Sequence, residues 1–266
     1  MTSSTQRWQE SPLRFEQNAL LGYVLLGAWL LLMVGMPWLQ FFFGEAIIPT
    51  GVTLAAIFQA CAVFYFVQRA WGLASAALTF VLVAVITWGA EAIGHTTGLP
   101  FGHYYYTEAL QPQIVGVPLL IPVAWFMLLP SAWVMAQLIV GERDTLVKWA
   151  AFVGVSAVAL TVWDLFLDPQ MVAWGFWVWE NPSGYFGIPW INYGGWLLVA
   201  TIVTIAVRPK PLPVMPFALI YATVWFLQMV GQGIIWQQIG PALVGTLAMG
   251  GVMVLAWWRN RERTAL

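Results

Sequence analysis

Eight apolar runs, each close to the length that crosses a bilayer, leave this chain little choice of fold. They fall at roughly 19–39, 47–68, 71–93, 116–140, 146–167, 188–207, 213–234 and 239–258. A transmembrane helix needs about 20 predominantly apolar residues. Hydrophobic residues make up 61% of the 266 and charged residues only 8%, more apolar surface than a soluble domain of this length can bury. The expected fold is therefore all-α: a polytopic bundle of about eight helices. One transmembrane domain would cover 19–258, between a cytoplasmic N-terminal segment (1–18) and a basic cytoplasmic tail (259–266). The first run is too long for the apolar core of a signal peptide and has no small-residue cleavage site, so no cleaved leader is expected.

The basic residues give this arrangement its orientation. Arg7 and Arg14 precede the first run, Arg69 lies in the second connection, Arg143 and Lys148 in the fourth, and Arg208 and Lys210 in the sixth. Arg259, Arg261 and Arg263 follow the last run. In an eight-helix arrangement all ten fall on one side, which the positive-inside rule makes cytoplasmic. Both termini are expected there, in a multi-pass protein of the cell membrane. A net charge of −1 offers no general attraction to nucleic acid. The lone cysteine, Cys61, excludes a disulfide within the chain.

The other side carries the polar chemistry. Its two long connections, roughly 94–115 and 168–187, contain no Lys or Arg but hold His95, His103, Glu108, Asp168 and Glu180. Glu91 and Asp164 sit just inside the helices that lead into them. Intramembrane acids are functional candidates by default.

Asp164 and Asp168 are at i and i+4, on one helical face. Two carboxyls that close cannot both ionise cheaply where water is scarce, so one is expected to keep its proton and to act as an acid near neutral pH. A structural reading stands beside this one: Asp168 caps the helix end before Pro169, and Asp164 bonds a neighbouring helix. Glu91 and His95 form a second i, i+4 pair, either an oriented acid or an interfacial hydrogen bond. Six of the eighteen Trp lie between 163 and 196. Aromatic faces stabilise cations by ~0.5–2 kcal/mol each when desolvated, although Tyr and Trp also populate ordinary interfacial belts. An acid beside such a lining suits protonation of an alkene to a carbocation. Candidate lining residues are Trp88, Tyr104, Tyr106, Trp163, Trp174, Trp177, Tyr185, Trp190, Tyr193 and Trp196.

Several chemistries have no support. No CxxC, GxGxxG or GxxxxGK[ST] pattern occurs, and two histidines are too few for a histidine-rich di-iron site. A retinal Schiff base needs a lysine in the bilayer, and both lysines, Lys148 and Lys210, are read in cytoplasmic connections. A single DxxxD on a face without Lys or Arg does not make a diphosphate site.

The blocks EAIGHTTGLPFGHYYYTEAL, GVPLLIPVAWF, WDLFLDP and GYFGIPWINYGGW, in order between about 88 and 196, resemble the carotenoid biosynthesis membrane family of CruF-type carotenoid 1,2-hydratases. Archaeal members of that family act as bisanhydrobacterioruberin hydratases. The resemblance implies addition of water across the terminal C1=C2 bond of an acyclic carotenoid end, as in lycopene, gamma-carotene or a bacterioruberin precursor. Such a reaction needs no metal or other cofactor. The implied partners are the bilayer, a membrane-dissolved carotenoid and other enzymes of the same pathway.

On this reading Asp164 is the expected proton donor. Asp168 tunes it or orients water, and Glu91 is the alternative donor or the base. His95, His103 and Asn192 orient the acid or hold water, towards the non-cytoplasmic face. The competing readings are an integral-membrane lycopene cyclase, a proton-coupled transporter and a carotenoid-binding protein without activity.

Overall fold

The computed structural model describes residues 19–264. The segment 1–18, with Arg7 and Arg14, lies outside the described residues. Eight helices are long and apolar enough to cross a membrane: α1 (Leu20–Phe43), α2 (Ile48–Trp71), α3 (Leu73–Thr97), α4 (Leu120–Val140), α5 (Leu146–Ala173), α6 (Trp190–Val207), α7 (Val214–Val230) and α8 (Ile239–Thr264). The protein is thus a multi-pass helical membrane protein, as the apolar runs require. α7 continues into a π turn, Gly231–Ile235, before α8 begins. A single residue joins α2 to α3: Gly72, at φ +85°, a left-handed conformation that favours glycine.

α4 and α5 are the most buried helices. Long-range hydrogen bonds tie others to them. Trp133 Nε1 of α4 donates to Thr204 Oγ1 of α6 at 2.9 Å, and the Tyr221 hydroxyl of α7 donates to Ala159 O of α5 at 2.7 Å. Groups on the inner faces of α4 and α5 are therefore held away from both lipid and water.

One end of the bundle gathers the basic residues of the even connections. Trp71 Nε1 donates to Pro211 O at 3.1 Å, Arg143 donates to Pro209 O at 2.7 Å, and Gln137 pairs with the backbone of Leu212 in both directions. Arg263 donates to Leu138 O and Ile139 O, carbonyls of the last turn of α4. Those carbonyls have no partner within their own helix, and a cation suits the negative end of the helix dipole. Residues 259–264 continue α8, which runs on to Thr264, and Arg263 clamps the C-terminus of α4.

Two further helices overrun the lengths read from the apolar runs. α3 extends to Thr97 and takes in His95. α5 extends to Ala173 and places Asp168 inside the helix rather than in a connection. Pro169 does not stop α5. Proline removes the N–H that would bond the carbonyl of residue i−4, here Leu165, and the Tyr185 hydroxyl donates to Leu165 O instead, at 3.1 Å. The helix keeps a satisfied backbone through the proline, and Asp168 is not a cap.

The opposite end carries a small β lid absent from the sequence expectation. β1 (Tyr104–Tyr106) lies in the connection after α3, together with β2 (Gln113–Ile114) and β3 (Val117–Pro118), which pair with each other. β4 (Trp177–Trp179) lies in the connection after α5 and pairs antiparallel with β1, in the register Tyr104↔Trp179, Tyr105↔Val178 and Tyr106↔Trp177. Aromatic runs such as YYY and WVW suit a half-buried pleated surface. This pair joins the two long connections directly over the ends of α3 and α5.

Candidate functional site

Beneath the β1–β4 pair lies a cavity of about 380 Å³, within the size range of small-molecule sites. Its wall takes side chains from α1 to α7 and from the lid, and no Lys or Arg lines it. Two carboxyls do: Asp168 of α5 and Glu91 of α3. Each is buried, so each needs hydrogen-bond partners or a proton to remain there.

Asp168 is held on both oxygens. Trp177 Nε1 donates to Oδ1 at 3.1 Å, and Asn192 Nδ2 donates to Oδ2. The same Asn192 nitrogen donates to Asp164 Oδ2 at 2.9 Å. One primary amide has two hydrogens, and here each serves one carboxyl. The i, i+4 spacing on α5 thus brings the two aspartates together as expected, but α6 supplies the bridge. Asp164 is fully buried behind the wall and does not line the cavity. Asn192 is a clamp between acids, with no N–H left over for a water.

Glu91 is held from the other strand. The hydroxyls of Tyr104 and Tyr106 both donate to Oε2, the second at 2.9 Å. Burial, and then the neighbouring Glu91 carboxyl, push both phenols well above their usual pKa. They therefore remain O–H donors at any physiological pH, with one Glu91 oxygen as their common acceptor. The lid couples this arrangement to Asp168. Tyr106 and Trp177 are cross-strand partners whose rings meet edge to face at 5.7 Å; one donates to Glu91 and the other to Asp168. A single β pair orients both carboxyls.

Between these groups the wall is aromatic. Trp125 stacks on Trp196 at 4.1 Å, and Trp163 meets Trp196 edge-on at 6.0 Å. Tyr104 packs on Trp179 at 4.9 Å, and Trp174 stands perpendicular to Trp236 at 5.1 Å. All of these line the cavity. An apolar enclosure with π faces and no fixed positive charge is suited to a hydrocarbon, and to a transient cation formed from it.

Of the residues picked out from the sequence, the cavity brings together Glu91, Asp168, Asn192, Tyr104, Tyr106, Trp163, Trp174, Trp177 and Trp196. Others lie elsewhere. His95 packs over Gly116, where an added Cβ would fall 2.6 Å from its Nε2, and His103 packs over Gly98 in the same way. Both glycines have positive φ, so the two imidazoles serve as covers for tight turns and neither lines the cavity. Trp88 is also off the wall. Tyr185, Trp190 and Tyr193 form a separate aromatic cluster, with Tyr185 and Tyr193 ring centres at 5.6 Å. Its contribution is the bond from Tyr185 to Leu165 O that keeps α5 helical.

The sequence reading passed over several wall residues: Trp125, Trp179, Gln59 and Gln170. Gln59 and Gln170 are buried amides on the wall. Gln59 donates to Met127 O at 3.1 Å, while the side-chain nitrogen and oxygen of Gln170 have no protein partner among the described residues. For Gln59, a neutral amide inside an apolar run was the available signal.

The geometry accords with comparisons to known proteins. The model of a family described as "Carotenoid biosynthesis protein" matches residues 51–252, a range that includes both carboxyls, Asp164 and Asn192. The chain is similar to the bisanhydrobacterioruberin hydratase of Haloarcula japonica, with 37% identity over 144 residues. That match covers 54% of this chain and 46% of the relative, so the chain spans about half the length of the curated protein it matches. No solved structure matches.

Proposed function

Because the chain belongs to the carotenoid biosynthesis protein family, we propose that it hydrates the terminal C1=C2 double bond of an acyclic carotenoid end. The observation that carries this reading is the pair of buried carboxyls, Asp168 and Glu91, on one aromatic, cation-free cavity wall. The name of the Haloarcula japonica relative points to the same class of reaction.

The placement of the acids supports a division of roles between them. Asp168 lines the cavity and Asp164 does not, so the donor role expected of Asp164 passes to Asp168. Two carboxyls buried together, sharing a neutral amide and with no cation on the wall, favour keeping one proton between them. Asp168 delivers that proton to C2. The π electrons become the new C–H bond, and a tertiary cation is left at C1. The faces of Trp125, Trp163, Trp177 and Trp196 stabilise it. A water oxygen attacks C1 and its surplus proton passes to Glu91, fixed as an acceptor by Tyr104 and Tyr106. The cycle closes when that proton returns to Asp168. The sum is one water added and no electrons exchanged. Asp164 is a positioning residue that acts through Asn192.

Expression in a lycopene-producing bacterial host tests the activity. The expected pigment is heavier by one water, with its oxygen drawn from labelled water. A product of unchanged mass that carries a ring would make the chain a cyclase and sink the hydratase reading. The lid end is proposed to face away from the cytoplasm, since the basic residues gather at the other end. A reporter fused after Lys210 is then expected to read cytoplasmic, and one after Glu108 external. The reverse pattern would invert the topology.

A further inference from the structure

The cavity is not sealed by protein on every side. Three residues that line it also face outwards: Val34 of α1 (54% exposed), Phe226 of α7 (52%) and Ile235 of the π turn (44%). All three lie in membrane-spanning segments, so the outer surface they share with the cavity meets lipid hydrocarbon. The backbone on both borders departs from a regular helix. Pro37 of α1 lines the cavity and has no N–H to offer the preceding turn. On the other side stands the π turn Gly231–Ile235, an irregularity often found at functional sites. A side-chain hydrogen bond crosses between these borders, from Trp236 Nε1 to Gln40 Oε1 at 3.1 Å. A volume of about 380 Å³ matches a drug-sized ligand; it accommodates one end of a long linear polyene but not its whole length.

We propose that the gap between α1 and the α7 π-turn segment is a lateral mouth. Through it a linear apolar polyene enters end first from the bilayer, while the remainder of the molecule stays in lipid. The hydratase reading supplies the identity of the reacting end; the mouth itself rests on the open wall alone. The geometry makes the reaction one-ended. A substrate with two acyclic ends must leave and re-enter for the second hydration.

The test uses the full chain with Cys61, which is exposed, replaced by alanine. Val34→Cys and Phe226→Cys are each compared before and after labelling with a bulky maleimide. Leu78→Cys is the control, on α3, 60% exposed and away from the cavity. Two quantities are read: acyclic carotenoid retained by the purified protein, and turnover. Labelling at 34 and at 226 is expected to lower both by about tenfold, the effect of ~1.4 kcal/mol of lost binding, and labelling at 78 to change neither. Unchanged retention after labelling at 34 and 226 overturns the mouth, as does an equal loss at 78. Because retention is read separately from turnover, a protein that holds carotenoid without hydrating it fails the hydratase reading and leaves the mouth standing.

Discussion

Replacing Asp168 with asparagine is expected to lower hydration by ~10²–10⁴-fold, the usual worth of general acid catalysis, with the loss near the upper end because this proton starts the reaction. The amide nearly matches the carboxyl in size and can still accept from Trp177 Nε1, which now donates to Oδ1. The bundle should therefore fold, and acyclic carotenoid should still co-purify. What the variant lacks is a proton to give. Asp164→Asn is the paired measurement. Asp164 has no place on the cavity wall and acts on the reacting end only by way of Asp168, to which Asn192 bridges it, so its loss should be clearly the smaller of the two at matched expression. The reverse order, with Asp168→Asn near normal and Asp164→Asn inactive, would return the donor role to Asp164 and require the cavity to reach behind its present wall.

That contrast marks how far the sequence could be read. The helices were legible because the bilayer fixes their length and forces their backbones to be satisfied internally. Alternate connections were legible because basic residues stay on one side. The two aspartates were legible as a pair because four residues is one helical turn. Which of them faces the cavity was not, since that depends on how α5 is rotated against α6 and on where Asn192 falls. Pro169 was misleading for a related reason. As local sequence it reads as a helix end, and only the Tyr185 hydroxyl, twenty residues beyond Leu165, supplies the partner that lets α5 continue. The β1–β4 pair joins residues more than seventy positions apart, beyond any local pattern. The placement of the histidines was not legible either. Their chemistry invites a role in the site, yet each lies over a glycine turn, a packing relation that a single sequence does not display.

Glu91→Gln should separate the two halves of the reaction. Glutamine keeps the length of the side chain and still presents an oxygen to Tyr104 and Tyr106, but it cannot take up the proton released by the attacking water. Hydration is expected to fall by about 10²-fold or more. Protonation of the alkene by Asp168 does not need Glu91. The cation should therefore still form and then lose a proton back to the Asp168 carboxylate. In heavy water this futile cycle leaves a signature: deuterium accumulates in recovered substrate at the reacting end, without a hydroxyl. Asp168→Asn should show neither hydration nor deuterium uptake, because the cation never forms. The two variants are thus distinguished by mass analysis of unreacted substrate, a readout that a merely structural defect would not divide. If Glu91→Gln abolishes deuterium uptake while Asp168→Asn retains it, the roles are exchanged: Glu91 is the acid, and the aspartate pair is the base that captures the water's proton.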